Sequence, residues 1–385
     1  MQVSFDAKKL NLLMEEAGVD LVLATSKHNV QYLLGGFRSV FFAHLDAIGL
    51  SRYLPAVGIP RGRLEDAFFV GNTMERWQQA VEPVWMKTVR MVSWSSEATA
   101  KETAGLIRSL GLAKGTVAVE KAFLPADAFA VLQQELPEAR WVEALPILEE
   151  LRAIKRPDEL ALLREASEAI VESMLAVMRS TRPGATTTEI ARQMHREEAS
   201  RGLNFEYALI ATGPSFLRAP SAARWEQGAV LSIDSGGNTH GYIGDLCRMA
   251  VMGKATPLMK ELLREVQAVQ AAARAAVRPG APGGGIYDAA LAEQARCPHG
   301  GEMVFLAHGM GLISHEVPHL TSTGFVPYAA AHAGRPLEPG MVLSIETELR
   351  NPQVGFVKLE DTVAVTRDGF EAYGDAAREW VEVEN

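Results

Sequence analysis

At 385 residues and 48% hydrophobic content, the chain is long enough for two ordinary domains with real cores. A net charge of −9 with no basic cluster argues against a nucleic-acid footprint or a polybasic membrane patch, and no apolar run approaches the ~18 residues of a membrane helix. The expected partners are therefore small molecules, metals or a second copy of the chain, in the cytoplasm, and the two cysteines, Cys247 and Cys297, are too few for a disulfide framework and read as free thiols.

The opening "MQVSFDAKKLNLLMEEAGVD" scatters acids among its apolar residues, unlike a secretory leader, and predicts an amphipathic helix. "DLVLAT", "EDAFFVG" and "TVAVE" are short buried-type strands, with helical stretches such as Glu97 to Leu110 between them. That alternation predicts an α/β domain over residues 1–150. Within it, Phe41, Phe42 and His44 of "FRSVFFAHLDAIG" read most simply as strand and core residues. Pro157 followed by Asp158 and Glu159 signals a helix start, which places a domain boundary just before it, near Leu151. Thr186 with Glu189 forms a capping box for a second helix ending by Gly202. A third helix begins at Thr256-Pro257, and a fourth follows Gly285.

The second domain, residues 151–385, contains a self-match. "EQGAVLSID" (226–234) and "EPGMVLSIE" (338–346) agree at six of nine positions, and each ends a strand in a carboxylate. Downstream, "GYIGD" ending at Asp245 echoes "GFVKLE" ending at Glu360. "RPGA" precedes a helix in both halves, at Arg182 and at Arg278. A duplicated helix-plus-hairpin unit packed face to face would bring four acids to one centre. Buried carboxylates repel and resist desolvation, so they need counter-charge. Two divalent cations would balance Asp234, Asp245, Glu346 and Glu360, and an oxygen-rich set suits Mn, Fe, Co or Zn. "AHGMGLISHEVPH" offers His308, His315 and His319 as softer donors. His315 and His319 have the spacing of a zinc-binding helix, but Pro318 between them would break that helix.

These residues resemble the creatinase, prolidase and aminopeptidase P superfamily over nearly the whole chain. "DLVLATSKHNVQYLLGG" is similar to its N-terminal domain, and "LRAIKRPDELALLREA" to its interdomain junction. The resemblance implies an α/β N-terminal domain and an α+β pita-bread catalytic domain with internal pseudo-twofold duplication. It implies five metal ligands, Asp234, Asp245, His308, Glu346 and Glu360, whose spacings of 11 and 14 match the Xaa-Pro dipeptidase branch. By similarity, Asp234 binds one ion, His308 and Glu346 the other, and Asp245 and Glu360 bridge. Glu346 would relay a proton to the leaving nitrogen, and His315 would contact the substrate carbonyl or the tetrahedral intermediate. His319, His44 and Phe41 are candidate substrate contacts, the last two on a loop that in creatinase-like homodimers reaches the partner's site.

Three departures bear on the substrate. Leu217 stands where family peptidases carry a histidine, seventeen residues before the first aspartate; Lys358 stands for an arginine; and His319 stands where prolidase-like members often place one. The leading expectation is a metal-dependent hydrolase of a small amide or dipeptide, Xaa-Pro dipeptidase-like. Leu217 favours, as alternative, a non-peptidase amidohydrolase or lyase on the same scaffold. A non-catalytic binding protein would typically lack ligands, and here all five are present.

Overall fold

The chain folds as two units, Met1–Leu151 and Arg152–Asn385, in a computed structural model that describes residues 3–324 and 329–384. In the first unit the short apolar runs become β1 (Leu21–Ala24), β2 (Ala56–Pro60), β3 (Phe68–Asn72), β4 (Thr88–Ser93), β5 (Thr116–Val119) and β6 (Arg140–Glu143). They form one sheet in the order β4-β3-β2-β1-β5-β6, with β2 antiparallel to both its neighbours. The helix Ser96–Ser109 begins where Ser95 accepts the Ala98 N–H, and it buries Ala100, Ala104 and Ile107 at helical spacing against this sheet.

One local expectation fails. Residues Val40–Ala43 form a single helical turn rather than a strand, although Phe42 is buried. The cause is a long-range cap. Glu75 Oε1 accepts the Phe41 and Phe42 amides at 2.9 and 3.3 Å, satisfying donors that a strand would have given to a neighbour.

The second unit opens with the helix Pro157–Ser180, whose first turn is closed by Glu159 accepting the Arg156 N–H at 2.8 Å. After the shorter helix Thr187–Ser200 come β7 (Asn204–Thr212), β8 (Val230–Thr239) and β9 (Tyr242–Met252). The same series then recurs. A long helix (Pro257–Ala276), a short helix (Gly285–Gln294) and a strand, β10 (Met303–Gly309), lead into the hairpin β11 (Val342–Asn351) and β12 (Gly355–Val365). With β13 (Phe370–Tyr373) paired to β12 and β14 (Val381–Val383) to β9, these make an eight-stranded sheet ordered β10-β11-β12-β9-β8-β7.

The strand period decides which face of this sheet is apolar. Leu231 and Ile233 pack under Ile170, Met174 and Val177 of the first long helix. Leu343, Ile345, Val357 and Leu359 pack under Leu262, Val266 and Val269 of the second. Each such side chain contributes roughly 1.5–3 kcal/mol by leaving water, which fixes the register of every strand. Alternate residues therefore point the other way, and those alternate residues are Asp234, Asp245, His308, Glu346 and Glu360.

Candidate metal centre

Cross-strand register places these residues in two adjacent rows on the face away from the helices. One row runs Asp234, Cys247, Glu360, Glu346 and Leu306, each Cα partnered to the next across β8, β9, β12, β11 and β10. The neighbouring row holds Gly236 opposite Asp245, then Ser344 partnered to both Thr362 and His308. Cross-strand partners stand about 5 Å apart at Cβ, so Glu346 and Glu360 face each other as like charges, an arrangement that is unfavourable without a cation.

Protein cations supply part of that need. The buried Lys358 Nζ lies 2.6 Å from Asp234 Oδ2 and 2.8 Å from Glu360 Oε2, and it also contacts Glu346. Arg218 forms a second ion pair with Asp234. Burial alone would lower the Lys358 pKa, but Asp234, Glu346 and Glu360 outweigh it and hold the ammonium well above its ordinary range. For the acids the balance differs. Burial, then Glu360 and Asp234, pushes the Asp245 carboxyl well above the usual carboxylate range, and burial with Glu346 raises Glu360. Burial also raises Asp234 against the pull of Lys358. Without a further positive charge, this face holds protons that a carboxylate would ordinarily have lost.

The donor set fits a divalent cation. Asp245 Oδ1 and His308 Nε2 are buried with no hydrogen-bond partner among the described residues, a condition costing about 1–3 kcal/mol per group. One donor atom each from Asp245, His308 and Glu360 lie within 4.8 Å of one another. His308 Nδ1 faces the Gly309 carbonyl at 3.3 Å, which leaves Nε2 as the lone-pair donor. Burial pushes the His308 pKa down to about 4, so the imidazole is neutral and free to ligate.

Around this cluster lies a cavity of about 480 Å³ whose wall includes Tyr207, Arg218, His315, Glu346, Glu348 and Arg350. Of the clustered carboxylates Glu346 is the more open to it, with 14% of its side chain accessible against 3% for Asp234 and 2% for Glu360. The His315 ring stacks on His308 at 3.8 Å between centroids, and burial followed by His308 lowers its pKa to about 4. The segment carrying it is not helical, so the zinc-helix spacing of His315 and His319 has no structural counterpart. Instead Glu316 bridges back to Gly309 as an antiparallel partner. Gly309 has to be glycine there, because a Cβ would stand 2.1 Å from the Val317 carbonyl carbon.

Other sequence-based expectations meet different fates. His319 is not among the residues lining the cavity; its ring stands across His332 at 6.1 Å, and its N–H donates to His332 Nδ1. Phe41 and His44 belong to the first unit, where Phe41 stacks on Tyr53 at 4.9 Å. Leu217 is 53% exposed, and the side chain that enters the centre from this loop is its neighbour Arg218, anchored by the Ile210 amide donating to its carbonyl. Sequence reasoning missed Arg218, since an arginine in an irregular loop has no period to read. Tyr207 was missed as well. Its ring fills the space over Gly236, where a Cβ would lie 2.5 Å from it, and turns towards Asp245. The Gly-Gly pair at 236 and 237 was the available signal.

Comparison with known proteins covers both units. The sequence model of Metallopeptidase family M24 matches residues 161–367, and that of the Creatinase/Prolidase N-terminal domain matches residues 7–154. A probable dipeptidase PepE of Mycobacterium tuberculosis is 28% identical over 382 residues, 96% of this chain and 93% of its own. An Xaa-Pro dipeptidase of Lactobacillus delbrueckii subsp. lactis is 23% identical over 390 residues, covering 96% and 97%. Among solved structures, an Xaa-Pro dipeptidase from Bacillus anthracis superposes with a TM-score of 0.80 at 22% identity, over 98% of this chain and 99% of that one. Its fold, and that of the prolidases that superpose equally well, is the pita-bread fold expected from the duplication.

Proposed function

The chain belongs to metallopeptidase family M24 and is a metal-dependent hydrolase, and from that premise we propose that it cleaves the amide bond of a small Xaa-Pro-like dipeptide, with Asp234, Asp245, His308, Glu346 and Glu360 as its metal-binding set. One observation carries the reading: two sheet rows bring these five side chains together, the four carboxylates lining a cavity and His308 beside them, with the lone pair of His308 Nε2 and the Asp245 Oδ1 oxygen left for a cation. An oxygen-rich set with one imidazole suits manganese, iron, cobalt or zinc. Such an ion supplies Lewis-acid polarisation of the scissile carbonyl and a water acidified to near neutrality.

The chain's own residues do the rest. Glu346, at the cavity wall, is the carboxylate placed to hold a proton and pass it to the departing amine. His315 presents a neutral ring to the same cavity, and its Nδ1 has no hydrogen-bond partner among the described residues, so it can bind the carbonyl oxygen as charge develops there. A cavity of about 480 Å³ lies at the small end of ligand sites, which favours a dipeptide over a longer chain. Dipeptidases among the relatives support the same class.

Arg218 supports a second reading. It reaches the centre from the position beside the missing histidine, and an arginine beside Asp234 changes what that wall presents to substrate. A non-peptidase amide of similar size is the substrate class this would suit. Initial rates of the manganese- or cobalt-loaded enzyme on Xaa-Pro dipeptides, beside N-acylated and cyclic small amides, separate the two. Turnover confined to the non-peptide amides would refute the dipeptidase reading.

A further inference from the structure

We propose that the centre binds one divalent cation rather than a pair, with the Lys358 ammonium standing in for the second. The proposal rests on the metal-site reading above and refines it. Lys358 is buried, and its Nζ meets three carboxylates on three strands: Asp234 on β8, Glu346 on β11 and Glu360 on its own β12. A compact ammonium can direct a separate N–H at each of three acceptors, whereas the planar fork of an arginine matches one carboxylate edge-on. The lysine therefore does more than preserve a charge; it occupies the place where carboxylates from both hairpins converge.

The remaining donors describe a site for a single ion. Asp245, His308 and Glu360 bring their atoms within 4.8 Å of one another. Asp234 lies outside that group, and its Oδ2 is already shared by Lys358 and Arg218. Charge agrees with geometry. Asp234, Asp245, Glu346 and Glu360 bring four negative charges, and Lys358 and Arg218 return two positive ones. The nearby Glu348 and Arg350 pair with each other at 2.6 Å and cancel. One divalent ion closes the balance, while a second would leave two uncompensated positive charges in a buried place, a condition proteins avoid.

Titration of the metal-free protein with Co²⁺, followed by visible absorption, and with Mn²⁺, followed by electron paramagnetic resonance, tests this without reference to activity. The expected result is saturation at one equivalent with the six-line signal of isolated Mn²⁺. Replacing the ammonium by a neutral side chain, Lys358→Met or Lys358→Gln, should move saturation from one equivalent to two and bring in the signal of a coupled pair. Two equivalents in the unaltered protein would overturn the proposal and leave the metal-site reading standing. No bound metal at all would overturn both. Folded variants that still stop at one equivalent would remove Lys358 from the role. The count in the unaltered protein decides the stoichiometry even if neither variant folds.

Discussion

Asp245 shows how strongly one residue depends on its surroundings. Its carboxyl is pushed well above the ordinary range by burial and by Glu360 and Asp234, and Glu360 and Asp234 are themselves raised. A cation arriving here displaces the protons this set holds, so its affinity must rise with pH. Calorimetric titration with Mn²⁺ in two buffers of different ionisation enthalpy should show net proton release, with binding that tightens as pH rises. His315 makes the second residue-scale prediction. His315→Ala removes a donor to the developing oxyanion while keeping all five proposed ligands, though it unstacks the ring lying on His308, and kcat should fall by about 10²- to 10³-fold with bound metal unchanged. A loss of metal in that variant would instead make His315 a ligand. The clustering of the four acids was legible in the sequence, because acids ending apolar strands are unusual and because Asp234, Asp245, Glu346 and Glu360 end strands in both halves of a self-match, with His308 between the pairs. Arg218 and Tyr207 were not, since one sits in a loop and the other is aimed by a glycine on a neighbouring strand.

Among the elements, the loop from His308 to His315 depends on one buried acid. Glu316 Oε2 accepts from Arg152 at 3.0 Å and Oε1 from Lys155 at 2.9 Å, and these cations hold its carboxyl below the usual range despite burial. Glu316→Ala would leave two buried cations without their partner, at a cost of about 3–5 kcal/mol in denaturant unfolding. A loss below 1 kcal/mol would show that the triad is not what fixes the loop. The helix Thr187–Ser200 offers a prediction of opposite sign. Its Glu198 accepts from Ser235 Oγ at 2.7 Å, and burial raises its pKa from 4.5 to about 7. A folded pKa above the unfolded one contributes stability that is complete below pH 4.5 and is lost as pH rises through 7. The shift corresponds to about 3 kcal/mol. Glu198→Gln should therefore be the more stable protein at pH 8 and lose that advantage towards pH 5 in thermal melts. The helices and their caps could be read from local signals such as Pro157 and Thr186 with Glu189, whereas the turn at Val40–Ala43 could not, because the group that caps it is thirty-odd residues away.

At the scale of the catalytic unit, duplication explains both where the centre lies and where it is weakest. Each hairpin is paired along its length, β8 with β9 from Val230 to Thr239 and β11 with β12 from Val342 to Asn351. Between the hairpins, β9 and β12 share a register of one pair, Cys247 with Glu360. Side chains make up for the missing ladder. The fully buried Arg248 donates to the Glu360 carbonyl at 2.7 Å and pairs with Asp361 at 3.1 Å, and Thr362 donates to the Asp245 carbonyl at 3.3 Å. The sequence self-match reveals the two halves, but not this sparse seam, because register between duplicated units is set by packing that no local pattern records. A cation held by Asp245 and Glu360 would tie the seam from the cavity side, so binding is linked to cohesion of the halves. At 100 times its dissociation constant, an ion adds about 2.7 kcal/mol to stability. Chelation should therefore lower the melting temperature, and amide exchange should quicken first at residues 245–248 and 358–362. Exchange that quickens evenly along all the strands, with no preference for those two segments, would mean that Arg248 and its partners hold the halves together without the metal.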